Sequence, residues 1–357
     1  MNEHRFQGLA RQLLSRDPRF AVLLHVRCER LRGGISAYAV HGVTAVYRDG
    51  TGRRRTAAWV VKELRGVERR EADVYASLSA HPASLAPRLV SALPGHESTT
   101  LVLERVTPAE RWPWRDASRA ASVLQLAAGL HEASLGPVAP WGYDAELHAM
   151  AASTARLVAV ARRDEVLPID GASARAVRRI ADDLPEVRRT LLGAGPFPPT
   201  LIHGDLHPGN VILAREAGAL SPKLIDWGRA RTGSPLEDVA SWIQSLGCWE
   251  PVARLRHDTL LAAYLRARGS PGPIPAHVRE ACWLAGACNA LAGALRYQVL
   301  AASDRSLIRP RRAGALRAVR DWLRIMRRAA AMWRAHPRRL RGAHAPSPRP
   351  PGGGAAR

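Results

Sequence analysis

Residues 201–213 read Leu-Ile-His-Gly-Asp-Leu-His-Pro-Gly-Asn-Val-Ile-Leu, and residues 224–228 read Leu-Ile-Asp-Trp-Gly. An apolar run on each side of the polar part of the first stretch predicts two strands joined by a turn. The second stretch predicts a short strand that ends on Asp226. Asn210 lies five residues after Asp205, and Asp226 lies sixteen residues further on. We expect this order of strands and turns to bring the three oxygen-bearing side chains to one point.

The residue types in this set suit phosphoryl transfer. One Asp accepts the hydrogen bond of the substrate hydroxyl, whereas an Asn and a second Asp hold Mg²⁺ against the nucleotide phosphates. Two plainer interpretations are an ordinary turn and a metal site in which His203 and His207 are ligands. Pro208 and Gly209 argue against a helix that would place both imidazoles on one face. No second His/Cys cluster lies near enough to complete a zinc site. Phosphoryl transfer is therefore favoured.

These two motifs, His203 to Asn210 and Ile225 to Gly228, resemble those of the aminoglycoside phosphotransferase and choline kinase-like family of small-molecule kinases. In that family the first motif replaces the His-Arg-Asp loop of protein kinases, and the second replaces Asp-Phe-Gly. The resemblance implies that Asp205 is the catalytic residue and that Asn210 and Asp226 hold Mg²⁺. Weaker matches extend it over roughly residues 25–300.

The N-terminal part of the chain predicts a sheet with a phosphate-binding turn. Strands are expected over residues 21–31, 37–48, 56–64, 88–93 and 99–104. Gly33 and Gly34, between the first two strands, let backbone N–H groups approach phosphate oxygens, although a plain hairpin turn is the commoner explanation of such a pair. Lys62 lies near the end of the third strand, and only it and Lys223 are lysines among 53 basic residues. We therefore interpret Lys62 as a phosphate ligand, as the resemblance also implies.

A helix over residues 68–78 follows the third strand in the prediction. The resemblance implies that Glu71 pairs with Lys62 and fixes the position of its ammonium group. Glu68 is the competing candidate for this pairing. It also implies that the backbone from Glu104 to Val106 meets the adenine of ATP.

The rest of the chain predicts helices. They are expected over residues 116–133, 144–163, 171–194, 239–268, 276–302 and 316–333. Asp116 is expected to cap the first of them. The resemblance implies an acceptor pocket between these helices and the turn that carries Asp205. Acidic side chains suited to a cationic acceptor are Glu237, Glu250, Asp258 and Glu280, and ordinary surface charge explains them equally well.

Together these elements predict an α+β, protein-kinase-like bilobal fold with an antiparallel-sheet N-lobe and a mainly helical C-lobe. The predicted division is an N-terminal arm at 1–20, the N-lobe at 21–106, the C-lobe at 107–335 and a disordered tail at 336–357 rich in Arg, Pro and Gly. The predicted function is ATP- and Mg²⁺-dependent transfer of the γ-phosphate to a hydroxyl of a small molecule, namely an aminoglycoside-like antibiotic, an amino sugar or an amino alcohol.

Composition sets the remaining bounds. The formal net charge is +22, and residues 301–357 carry fifteen Arg against Asp304 and Asp321, a net +13. This basic end favours a solubilising role over contact with nucleic acid or anionic lipid. Nothing near Met1 resembles a signal peptide, so the cytoplasm is the expected location. The alternative hypothesis is a nucleotide-binding pseudokinase or tethering protein that acts through its basic C-terminus on nucleic acid or a membrane.

Overall fold

A computed structural model describes residues 3–31, 39–79, 84–133, 142–193, 195–216 and 218–335. The strands are β1 (Phe20–Arg30), β2 (Ala39–Asp49), β3 (Arg54–Arg65), β4 (Leu89–Pro94), β5 (Ser98–Glu104), β6 (Thr200–Ile202), β7 (Val211–Glu216), β8 (Ala219–Leu224) and β9 (Arg231–Gly233). The helices are α1 (Glu3–Leu14), α2 (Glu71–Ser79), α3 (Ala117–Glu132), α4 (Tyr143–Arg163), α5 (Gly171–Asp182), α6 (Leu184–Gly193), α7 (Pro235–Trp249), α8 (His257–Ala267), α9 (Ala276–Asn289), α10 (Leu295–Ser303) and α11 (Arg309–Ala335).

Residues 1–141, 200–233 and 241–272 form the first of two compact units. Its N-terminal part is a five-stranded antiparallel sheet with strand order β1-β2-β3-β5-β4, as the sequence predicts. The strands alternate apolar and polar residues, which gives the sheet one face for a core. Helix α1 packs on that face. The buried residues that meet there include Phe6, Ala10, Val26, Val43, Val61 and Val102.

Two short two-stranded sheets in the same unit carry the motifs. Strand β6 pairs with β9, and β7 pairs with β8, so the turn after β6 and the end of β8 come together. Helix α3 packs against α8, and its first turn is capped by Asp116, whose carboxylate accepts from the N–H groups of Ser118 and Arg119. The predicted cap is confirmed. Helix α3 also packs against β6 and β8, one strand of each small sheet.

The second unit comprises residues 142–199, 234–240 and 273–357, and its described part is mainly helical. The long amphipathic helix α11 packs against α5, α9 and α10. Its buried side has Val319, Trp322 and Met326, and its other side is rich in Arg. This matches the predicted last helix. Within the described residues, no helix is both long and apolar enough to cross a bilayer.

Several predicted helices are interrupted in the structure. The helix predicted over 171–194 is two helices, because Pro185 at the start of α6 cannot continue α5. The helix predicted over 239–268 is also wrong as a single element, since Pro251 starts a 3-10 segment between α7 and α8. A π turn separates α9 from α10, where Gly293 has φ of 135°. Apolar periodicity continues across each break, so it does not reveal them.

Lys223, one of the two lysines, has a structural role. Its side chain on β8 is fully buried, and its Nζ lies 2.7 Å from Glu216 Oε1 and donates to the carbonyl of Ser84 at 3.1 Å. The Ser84 hydroxyl accepts a third hydrogen bond. The ammonium thus ties the β7–β8 hairpin to the segment that follows α2.

We expect the Lys223→Ala substitution to lower the free energy of unfolding by about 2–4 kcal/mol, because it leaves a cavity under the hairpin. Lys223→Met keeps the apolar stem, and its partner Glu216 is half exposed and can be hydrated, so this variant should lose less than about 1.5 kcal/mol. Denaturant unfolding monitored by circular dichroism measures both. Equal losses in the two variants would contradict the packing role.

Candidate active site

The turn between β6 and β7 is held by a buried histidine. His203 is fully buried, and its Nδ1 accepts from the backbone N–H of Asp205 at 3.3 Å. Nε2 therefore carries the proton and donates to the carbonyl of Ile225 at 2.9 Å. His207 also uses Nδ1 to accept from a backbone N–H, that of Gly209, at 3.0 Å. Both imidazoles serve the backbone of the turn, which fits the phosphoryl-transfer interpretation better than a histidine metal site.

Gly204 permits a backbone conformation that other residues resist. Its φ is 78°, and a Cβ at this position would clash with the Arg231 guanidinium and with the carbonyl oxygen of Arg229. Arg231 Nη1 donates to the carbonyls of Gly204 and Arg229, at 3.3 and 3.1 Å. The turn is thereby closed against β9.

Asn210 is oriented by Asp205. Its Nδ2 donates to the backbone carbonyl of Asp205 at 2.9 Å and lies 3.4 Å from the Asp205 Oδ2. The carbonyl of Asn210 accepts from the N–H of Ile225 at 2.9 Å, so the end of β8 lies directly beside it. The Asp205 side chain remains 42% exposed, which leaves its carboxylate accessible to a substrate.

Asp226, at the end of β8, lies in the left-handed region with φ of 66° and ψ of 62°. This uncommon conformation for a non-glycine residue turns the chain sharply after the strand. Its Oδ1 accepts from Lys62 Nζ at 2.9 Å. Burial alone would raise the pKa of the Asp226 carboxyl, but the Lys62 ammonium outweighs burial and keeps the pKa below its usual value. Asp226 is therefore an anion at neutral pH.

Lys62, Glu71 and Asp226 form a buried ionic cluster. Lys62 Nζ donates to both carboxylate oxygens of Glu71, at 2.7 and 2.8 Å, and Glu71 Oε1 also accepts from the N–H of Trp227 at 3.1 Å. Burial alone would lower the pKa of the Lys62 ammonium, but the two carboxylates outweigh burial and raise it. The structure pairs Lys62 with Glu71, and Glu68, the competing candidate, lies in the 3-10 turn before α2.

The oxygens at this point suit Mg²⁺. Because Asn210 Nδ2 faces Asp205, its Oδ1 is left for a cation, and Asp226 uses only Oδ1 for Lys62. An amide and a carboxylate oxygen are hard donors, and Mg²⁺ commonly takes one or two protein ligands and completes its shell with phosphate oxygens and water. Across the described ranges, no group of three or more His, Cys, Asp and Glu residues could hold a metal.

The structure describes only some of the remaining predicted nucleotide contacts. Gly33 and Gly34 lie outside the described residues. Glu104 ends β5, and its own N–H donates to the carbonyl of Arg88 at 3.0 Å. In the part of the chain that the structure describes, the Val106 N–H has no hydrogen-bond partner, so the backbone of Val106 is the open one in this segment.

The sequence prediction missed two arginines that hold the site. Arg231 closes the turn at Gly204, and Arg70, in the 3-10 turn before α2, donates through Nε to the carbonyl of Gly228 at 3.0 Å. A basic residue three positions after the Asp226 motif was the available signal for Arg231. It carries little weight in a chain where nearly every basic residue is Arg.

A family model and several solved structures are similar to this chain. The model of the phosphotransferase enzyme family (APH) matches residues 28–280. A search of curated proteins found no match. The choline kinase from Cryptosporidium parvum aligns with a TM-score of 0.55 at 11% identity, over 91% of this chain and 95% of that one.

Two further solved structures are similar. The ethanolamine kinase from Plasmodium vivax has a TM-score of 0.52 at 13% identity, with coverage of 83% of this chain and 82% of that one. The GDP complex of wild-type aminoglycoside 2'-phosphotransferase-IIIa has a TM-score of 0.51 at 13% identity, with coverage of 91% and 99%. At these identities the likeness shows a shared fold, and the predicted protein-kinase-like α+β fold is confirmed.

The Glu71→Ala substitution should lower the free energy of unfolding by about 2–4 kcal/mol, because it removes two of the three hydrogen bonds of the buried Lys62 ammonium and leaves the Trp227 N–H without its acceptor. Glu68→Ala, the matched control two residues into the 3-10 turn, should cost less than about 1 kcal/mol. Denaturant unfolding of the three proteins measures the difference. If Glu68→Ala is as damaging as Glu71→Ala, the pairing derived above is wrong.

Proposed function

Since the chain belongs to the phosphotransferase enzyme family and is a small-molecule kinase, we propose that it transfers the γ-phosphate of ATP, with Mg²⁺ bound, to a hydroxyl of a small molecule. The observation that carries this proposal is the meeting of five predicted residues within one compact unit. Lys62 is hydrogen bonded to Glu71 and Asp226 at 2.7 to 2.9 Å, and Asn210 is hydrogen bonded to Asp205 at 2.9 and 3.4 Å. The bond from the Ile225 N–H to the Asn210 carbonyl, at 2.9 Å, brings the two sets side by side.

Asp205 acts on the acceptor. Its exposed carboxylate accepts the hydrogen bond of the acceptor hydroxyl and orients that oxygen toward the γ-phosphorus. As the new oxygen–phosphorus bond forms, the bond between the γ-phosphorus and the leaving oxygen of ADP breaks. The hydroxyl proton passes to Asp205. The hydrogen bonds from Asn210 Nδ2 hold the Asp205 segment in place during this step.

Lys62 acts on the nucleotide. Its ammonium is charged and fixed by Glu71, and it lies 2.9 Å from Asp226, so phosphate oxygens next to Asp226 come within range of its positive charge. Asn210 Oδ1 and the Asp226 carboxylate would hold Mg²⁺, which when bound neutralises phosphate charge. Positioning and electrostatic stabilisation supply most of the acceleration in this class of reaction. We assign adenine binding to the backbone between Glu104 and Val106. Phosphate binding remains assigned to Gly33 and Gly34.

Replacing Asp205 by Asn should lower kcat by about 10²–10⁴-fold, the usual contribution of a general base, and should change KM for ATP little. Acceptor-dependent ADP release in a coupled assay, screened over hydroxylated small molecules, measures both constants. Asp164→Asn is the control, since that exposed carboxylate pairs only with its neighbour Arg163. A kcat for Asp205→Asn near that of the unsubstituted protein would refute the role of Asp205.

Removing Mg²⁺ with EDTA should abolish phosphotransfer, and adding Mg²⁺ back should restore it. The Asp226→Asn variant should need at least about tenfold more Mg²⁺ for half-maximal activity, because a neutral amide is a weaker ligand than a carboxylate. Magnesium titrations of ADP release, with Asp164→Asn again as the control, test this. An unchanged magnesium requirement in Asp226→Asn would exclude it as a ligand.

A further inference from the structure

A row of aromatic side chains leads outward from Asp205. His207 Nε2 lies 3.8 Å from Asp205 Oδ2, and the His207 ring lies 5.9 Å from that of Trp249 at an angle of 37°. Trp249 in turn meets Trp112 edge to face, with ring centroids 6.4 Å apart. All four residues belong to the first compact unit. We call His207, Trp249 and Trp112 the aromatic row.

The aromatic row differs from the other tryptophan pair in this unit. Trp114 and Trp242 are buried in the core at 5.1 Å, and Trp242 Nε1 donates to the carbonyl of Ala120 at 3.0 Å. Trp249 instead leaves 50% of its surface in water. Packing does not require an indole there, because exposed apolar area contributes nothing to the core. A half-exposed indole beside a catalytic carboxylate is suited to contact with the acceptor.

The charges around the row do not favour a cationic acceptor. Glu250, next to Trp249, is already paired with Arg115 at 3.1 Å, and Arg256 lies close by, donating to the Arg115 carbonyl at 2.7 Å. An ammonium group placed on Trp249 would therefore meet, besides Asp205, a Glu250 carboxylate that Arg115 already neutralises and the further positive charge of Arg256.

We propose that the aromatic row is the acceptor subsite and that it takes a neutral hydroxylated ring, a sugar or cyclitol, instead of a polycation. The C–H face of such a ring stacks on the Trp249 indole while one of its hydroxyls reaches the Asp205 carboxylate. Neutral rings avoid the repulsion from Arg256. This inference rests on the proposed function and departs from the aminoglycoside, amino sugar or amino alcohol expected from the sequence.

The test compares neutral rings with amino-bearing acceptors on the full chain: glucose with its amino counterpart glucosamine, and inositol with kanamycin, which contains an aminocyclitol ring. For the unsubstituted protein we expect kcat/KM to be higher for the neutral member of each pair. Trp249→Ala should raise KM for the neutral acceptor about three- to tenfold, and Trp249→Phe, which keeps a ring, should raise it less. KM for ATP should stay the same. Leu255→Ala is the matched control, because Leu255 is 87% exposed in the same segment.

A preference for glucosamine or kanamycin, or an unchanged KM in Trp249→Ala, would overturn the proposal. Saturation-transfer NMR with glucose and inositol gives a second readout that needs no turnover. Ring signals in the unsubstituted protein that vanish in Trp249→Ala support the subsite, and their absence in both proteins contradicts it. If the rings bind but Asp205-dependent ADP release is never seen, the proposed function fails while the subsite stands, so the two failures can be told apart.

Discussion

One buried ammonium holds the site together. Lys62 on β3 donates to Glu71 of α2, nine residues later, and to Asp226 at the end of β8, 164 residues away, so a single nitrogen joins the sheet and the helix after it to a hairpin distant in sequence. Charges this deeply buried are tolerated only when they are paired and hydrogen bonded. The positions of these three elements are thus fixed, because every charge in the cluster needs its hydrogen-bonded partner.

The backbone around this cluster is fixed by groups that take no direct part in the proposed transfer step. Glu71 takes the N–H of Trp227, His203 bridges Asp205 to Ile225, and Arg231 closes the turn at Gly204. The left-handed conformations at Gly204 and Asp226 persist because these partners surround them. The arrangement is therefore preorganised, and little reordering is needed when a substrate meets Asp205.

Much of this site was predictable from the sequence. Asp205, Asn210, Asp226 and Lys62 stand in short motifs whose spacing follows the strands, and the structure brings them together. Helix breaks at Pro185 and Pro251 were not predicted, because the apolar period continues on both sides of each proline. Arg70 and Arg231 were missed for a compositional reason. With 53 basic residues of which two are lysine, a single arginine gives almost no signal, and only packing shows which of them are structural.

The scarcity of lysine has a geometric explanation that covers both sites. Lys62 Nζ meets three carboxylate oxygens at 2.7, 2.8 and 2.9 Å, and Lys223 Nζ likewise meets Glu216 and both oxygens of Ser84. An ammonium directs three donors from one small nitrogen, whereas a guanidinium spreads five donors over a plane. Three oxygens that converge on one buried point can be satisfied by an ammonium and not by a guanidinium. In a chain that otherwise uses arginine, lysine is kept where convergence demands it, in one case for the active site and in the other for the hairpin beside it.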